Sequence, residues 1–244
     1  MNSIILCEGA TDFTLLQYYM RRVYSWEDRV DESTEDLYNF KNKKSRRFFR
    51  GNNTITIASV GGVSNLKAAL ADVLKRNSAQ GYGGEVFSWI VIFTDHDEQW
   101  TADIWKVEIE NELSGNNVTF SSNGLLFNCV QKNDMDEQIS FQIDILLIPE
   151  KHTGALETFL LDSIKAEDTY DASIIAKGHD FVENADPKGK YLKHRRDKIK
   201  AEFDVYFSVR TTAKQFTERQ DILKNVPWEN FPLIHEQFKA LGEL

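Results

Sequence analysis

The chain has 244 residues, 41% hydrophobic and 12% aromatic, enough to bury a sizeable core as one large domain or a domain with an extension. A formal net charge of -9 excludes a protein that simply coats nucleic acid, because neutralising phosphates needs a basic surface. Cys7 and Cys129 form neither a disulfide framework nor a zinc pattern, no apolar run approaches the ~20 residues of a membrane span, and the N-terminus does not read as a secretion leader, so a reducing cytoplasm is the expected setting.

In chain order, Ile4, Ile5, Leu6 and Cys7 read as a strand buried on both faces, ending on Glu8-Gly9 and turning into a helix from about Asp12 to Val23. Glu8 therefore sits at the carboxyl end of a strand, the edge where open α/β sheets bind ligands. Residues 26–53 run acidic, then basic, then polar with weak periodicity, and read as an inserted, partly mobile excursion. Thr54 to Val60 is a strand, followed by Gly61-Gly62 and a helix from about Ser64 to Arg76. The glycine pair reads as a turn, with phosphate cradling as the sharper alternative.

A third strand, Phe87 to Phe93, ends on Thr94, Asp95, His96, Asp97 and Glu98, before a helix from about Thr101 to Leu113. Three such units imply an α/β fold with a mostly parallel sheet flanked by helices. Residues 124–130 and 139–148 then suggest an added strand pair, Pro149 ends the second, and a helix opens near Glu157. The remainder looks helical, with a basic helix around Tyr191 to Phe207 and amphipathic pieces at residues 214–225 and 231–241. Lys41 to Arg50 carries six basic residues and no acid, with Phe48-Phe49 placed where bases could stack; Lys188 to Lys200 carries seven against Asp197. Basic flanks around acidic strand tips suit an enzyme acting on phosphodiesters, with nucleic acid, DNA or RNA, as partner.

Glu8-Gly9-x-x-Asp12 after one apolar strand, and Asp95-x-Asp97 after another, resemble the two signature motifs of the Toprim superfamily. That superfamily includes bacterial primases, topoisomerases of types IA and II, small ribosomal-RNA maturation nucleases and the overcoming-lysogenisation-defect (OLD) nucleases. The nearest resemblance is to short prokaryotic Toprim-like proteins related to the OLD group, in which a strand ending in Ile-Pro precedes a Gly-x-x-Glu helix start, here Leu146 to Leu161. The resemblance implies a Toprim-like, Rossmann-like domain over residues 1–165, with a helical C-terminal extension over 166–244. It implies a nuclease using Mg²⁺ or Mn²⁺, and suggests a role in defence against phage or mobile elements.

By resemblance, Glu8 would be a metal ligand or general acid/base, Asp12 a ligand of a second metal or a support behind the ligands, and Asp95 and Asp97 the main ligands; Glu157 is a candidate further ligand and Glu98 an outside one. Such all-oxygen sets suit Mg²⁺, which keeps waters and leaves positions for phosphate. OLD-type sites also use a late lysine, for which Lys214 is the candidate. Read from the residues alone, Asp12 and Asp97 could equally be helix caps, and His96 a solvated side chain. The competing function is a non-catalytic Toprim-like module binding nucleic acid, nucleotide or a partner ATPase, since the chain holds no G-x-x-x-x-G-K-[ST] loop of its own. An unrelated doubly wound phosphotransferase using Asp95 and Asp97 would leave Glu8 unexplained.

Overall fold

The structure, a computed structural model, describes residues 1–29, 44–79, 86–211 and 223–244. Seven strands form one mixed sheet: β1 (Asn2–Cys7), β2 (Lys44–Arg50), β3 (Asn53–Ser59), β4 (Trp89–Asp95), β5 (Thr119–Asn123), β6 (Leu126–Lys132) and β7 (Gln138–Ile148), in the order β2-β3-β1-β4-β7-β6-β5. The four central strands run parallel, and antiparallel pairs close both sides. β1 lies between β3 and β4 with residues 3–7 all buried, which is why its sequence is an unbroken apolar run rather than an alternation.

The sheet separates two cores. Helix α1 (Ala10–Arg22), helix α4 (Leu156–Glu167) and helix α6 (Arg195–Arg210) pack on one face, where Ile5, Cys7 and Phe93 meet Leu16, Leu160 and Phe203. Helix α2 (Leu66–Ala79) and helix α3 (Ala102–Gly115) cover the other, with Leu70, Val73 and Trp105 against Leu6, Ile92 and Ile145. Helix α5 (Thr169–Ala185) and the short α7 (Pro232–Gln237) complete the described helices. Trp228, Ile234, Phe238 and Leu241 belong to the first core, so the C-terminal segments share apolar contacts with the central strands.

From β1 the chain moves outward to β3, then returns past β1 to β4. The reversal of direction lies between β1 and β4, so their carboxyl ends form the crevice where open α/β sheets bind ligands.

The expectation for residues 26–53 needs correction. Trp26 is buried, Glu27 exchanges main-chain hydrogen bonds of 2.8 Å with Phe49, and Lys44–Arg50 is edge strand β2, antiparallel to β3. Phe48 and Phe49 are buried, so they offer bases no stacking surface. Lys41 and Lys43 lie outside the described residues. Strand β5, which pairs with β6, has the polar sequence TFSSN and carries no alternation to reveal it. The basic helix starts at Arg195 rather than Tyr191, leaving residues 191–194 outside it.

Candidate functional site

The site grows from the turn after β1. Gly61 and Gly62, with φ of 80° and 125°, take backbone conformations that a side chain would strain, and both donate their N–H groups to the Glu8 carbonyl at 2.9 and 2.8 Å. Those amides are thus engaged in holding Glu8, and the glycine pair is a turn. The Glu8 side chain reaches across to β4: its Oε1 accepts from the Thr94 hydroxyl and, at 3.1 Å, from the Asp95 amide. The two strand tips that the sequence singled out therefore touch.

Asp95 Oδ1 accepts from the Leu156 amide at 2.9 Å, at the start of α4, where unpaired helix N–H groups favour a carboxylate. Asp12 lies in the first turn of α1, and its Oδ2 accepts from the Gly9 amide at 2.7 Å. Glu157, one residue into α4, is buried. Asp97 Oδ1 accepts from the Gln99 and Trp100 amides at 2.7 and 2.8 Å, so it caps the turn after β4 and not a helix, Thr101 being the N-cap of α3, while standing near Glu8. Glu98 points outward to Arg195 at 3.0 Å. His96 is half-buried rather than solvated: its Nδ1 lies 3.0 Å from the Pro149 carbonyl, and its main chain bridges to Gly154.

Electrostatics join these carboxylates into one unit. Burial, reinforced by the charges on Glu8 and Glu157, pushes the Asp12 carboxyl up to about 8. Burial and the charges on Asp12, Glu8 and Glu157 raise Asp95 well above the usual carboxylate range. Glu8 is also raised, mainly by burial and further by Asp97, although the bonds from Thr94 and Asp95 and the charge of Arg196 oppose the shift. Among the described residues no three of His, Cys, Asp and Glu are grouped so as to hold a metal ion.

A family model matches residues 2–233, nearly the whole chain. The chain belongs to the DUF3226 family, described as proteins of unknown function. Among solved structures it is similar to hypothetical protein PH0156 from Pyrococcus horikoshii OT3, at 13% identity and a TM-score of 0.49, over 97% of this chain and 98% of that one. No curated protein matches it.

In this DUF3226 chain the sequence reading missed three side chains at the site. Thr94 gives no signal in sequence because its role depends on β4 lying beside β1. Arg196 and Lys200, four residues apart on α6 and so on one helical face, act electrostatically on Glu8 and Asp12. The basic run containing them was visible; what it faces was not. Lys214 lies outside the described residues.

Proposed function

We propose that this DUF3226 protein is a Mg²⁺- or Mn²⁺-dependent phosphodiester-acting enzyme, a nuclease of Toprim type. One observation carries the reading: Glu8 and Asp95 meet at the β1/β4 switch point, the charges of Glu8 and Glu157 act on both Asp12 and Asp95, and two α6 cations act on Glu8 and Asp12. Carboxyls raised chiefly by burial, and at Asp12 and Asp95 further by the charges of their neighbours, are costly to ionise without a counter-charge; a hard cation supplies one, and an all-oxygen donor set suits such an ion. Glu8, Asp12, Asp95 and Glu157 are the residues that would hold it, although their side chains are not grouped as a ligand set without the ion and would have to close on it; when bound it would supply charge neutralisation and polarise a phosphate oxygen.

The chain's own residues have separable parts to play. Thr94 and the Asp95 amide fix the Glu8 carboxyl, which makes it the group positioned to take or give a proton. Arg196 and Lys200 attract the phosphodiester toward the acidic edge, which would otherwise repel it. The test is cleavage of labelled DNA and RNA with and without Mg²⁺ or Mn²⁺. Cleavage should require the ion and fall by roughly a hundredfold or more in Glu8→Gln and in Asp95→Asn. Unchanged rates in both variants would exclude this site as the catalyst.

A second reading rests on a different observation: Glu8, Asp95 and Asp97 each already accept main-chain N–H groups. In that reading the carboxylates pin the strand tips, and the fold binds nucleic acid, nucleotide or a partner ATPase without cleaving anything. Folding stability separates the two. A pinning role predicts that Glu8→Gln destabilises the fold, whereas relief of repulsion among functional carboxylates leaves it as stable or more so.

A further inference from the structure

We infer that the loop between α5 and α6 is a docking surface for single-stranded nucleic acid, in which Tyr191 stacks an unpaired base while Lys188, Lys190 and Lys193 bind the phosphates leading to the carboxylate edge. The inference deepens the phosphodiester reading and rests on it for the direction in which the strand runs. The loop has a defined shape: Asp186 Oδ2 accepts from the Tyr191 and Leu192 amides at 2.6 and 2.9 Å, and the Asp186 carbonyl accepts from the Gly189 amide at 2.9 Å. Gly189, at φ 58°, makes the left-handed bend that brings the chain back on itself.

This turn presents its side chains instead of burying them. Tyr191 is 72% exposed, and Lys190 Nζ lies 4.7 Å from the centroid of its ring. A large ring held in solvent by a fixed backbone, with cations around it, is the arrangement on which unpaired bases stack, and one π-face suffices whatever the base. Lys188, Lys190 and Lys193 are exposed and form no ion pair among the described residues, whereas Arg195 is bound to Glu98 and Lys198 to Glu183. The Arg195–Glu98 pair ties the start of α6 to the turn after β4. The positive run therefore continues from the loop through Arg196 to Glu8.

Charge complementarity chooses the occupant. In a chain of net charge -9, residues 188–200 hold seven Lys or Arg against one Asp, which fits a polyanion; the exposed ring favours one whose bases are free over a paired duplex. An anionic lipid surface would also attract the lysines but has no ring to stack.

The test is fluorescence anisotropy of the full chain, without divalent ion, on labelled oligo(dT) and oligo(U) of about 15 nucleotides, on a duplex of equal length, and on anionic vesicles. Tyr191→Ala should weaken single-strand binding by about five- to a hundredfold, the scale of one lost stack, and Tyr191→Trp should restore it. Duplex binding should change less than about twofold, because paired bases make no such stack. Equal oligo(dT) and oligo(U) affinities identify the base stack and phosphates as the recognised chemistry; a preference for one identifies its sugar or the thymine methyl group as recognised too, and both support the surface. The inference is overturned if Tyr191→Ala binds single strands as the wild type does, if duplex binding falls equally, or if the wild type binds no oligonucleotide or only vesicles. Cleavage that is independent of Tyr191 would remove this inference alone. Tyr191-dependent binding without carboxylate-dependent cleavage would remove the catalytic reading alone.

Discussion

Lys44–Arg50 and residues 188–200 are both rich in Lys and Arg, yet the first is an edge strand with buried rings and the second an exposed loop running into α6. In β2 the charges are turned to the protein itself: Arg46 pairs with Asp28, and Arg50 donates to the Leu244 carbonyl at 2.8 Å and lies 4.8 Å from the Trp26 ring. In the later segment Lys188, Lys190 and Lys193 stay in solvent, while Arg196 and Lys200 face the carboxylates. A run of positive charge thus says little about a partner until the neighbouring aromatics are placed. Phe48-Phe49 anchors a strand, and Tyr191 stands in solvent with Lys190 over its ring.

The two segments should differ most at those rings. Phe48→Ala should cost about 3–5 kcal/mol in denaturant unfolding, the usual penalty for emptying a fully buried aromatic site. Tyr191→Ala should leave the unfolding midpoint nearly unchanged; equal losses in both variants would mean that the two segments do not differ in kind.

The next effect concerns the acids that α6 faces. The Asp12 carboxyl is raised to about 8, so between about pH 4 and 8 the folded chain holds a proton that the unfolded chain has released. Its contribution is therefore full below the unfolded value and is lost as pH rises through about 8, a fall of the order of a few kcal/mol. Asp12→Asn should flatten that fall when unfolding is measured at about pH 5 and 8.5. An identical slope in the variant would place the titration elsewhere.

Salt dependence gives a third comparison. Replacing Lys188, Lys190 and Lys193 by Gln should lower the slope of log affinity against log salt for single strands by about 2, some 0.7 for each phosphate contact. The corresponding change at Lys44, Arg46 and Arg47 should barely alter it, and a larger effect there would reverse the assignment. The smallest effect is expected at the exposed Arg195–Glu98 pair, where Glu98→Gln should cost less than ~1 kcal/mol in stability. A larger loss would show that α6 depends on this contact for its position.

Much of the frame was legible because local pattern and tertiary role coincide. The apolar run of β1, the glycine turn after β3 and the acidic tip of β4 mark the strand ends, and parallel pairing then brings Glu8 to Asp95. β2 escaped because its sequence has no apolar alternation: Phe48 and Phe49 are adjacent, and both are buried at an edge strand. Residues 191–194 read as helix because basic residues are good helix formers, but the bonds that Asp186 accepts draw Tyr191 and Leu192 into a turn instead. Thr94, Arg196 and Lys200 could not be assigned from spacing, since their partners come from other elements. That Glu8 and Asp95 would lie at neighbouring strand tips was visible; which groups would hold and face them was not.

Binding of Mn²⁺ followed by electron paramagnetic resonance tests most directly whether the carboxylates form one cation-binding unit. Titrating wild type, Asp95→Asn and, as a control whose side chain points outward from the same turn, Glu98→Gln under the same conditions should show saturable binding in wild type and Glu98→Gln, and at least about tenfold weaker binding in Asp95→Asn, since one of few charged oxygen ligands is gone. Equal binding by wild type and Asp95→Asn, or no saturable binding by the wild type, would contradict it.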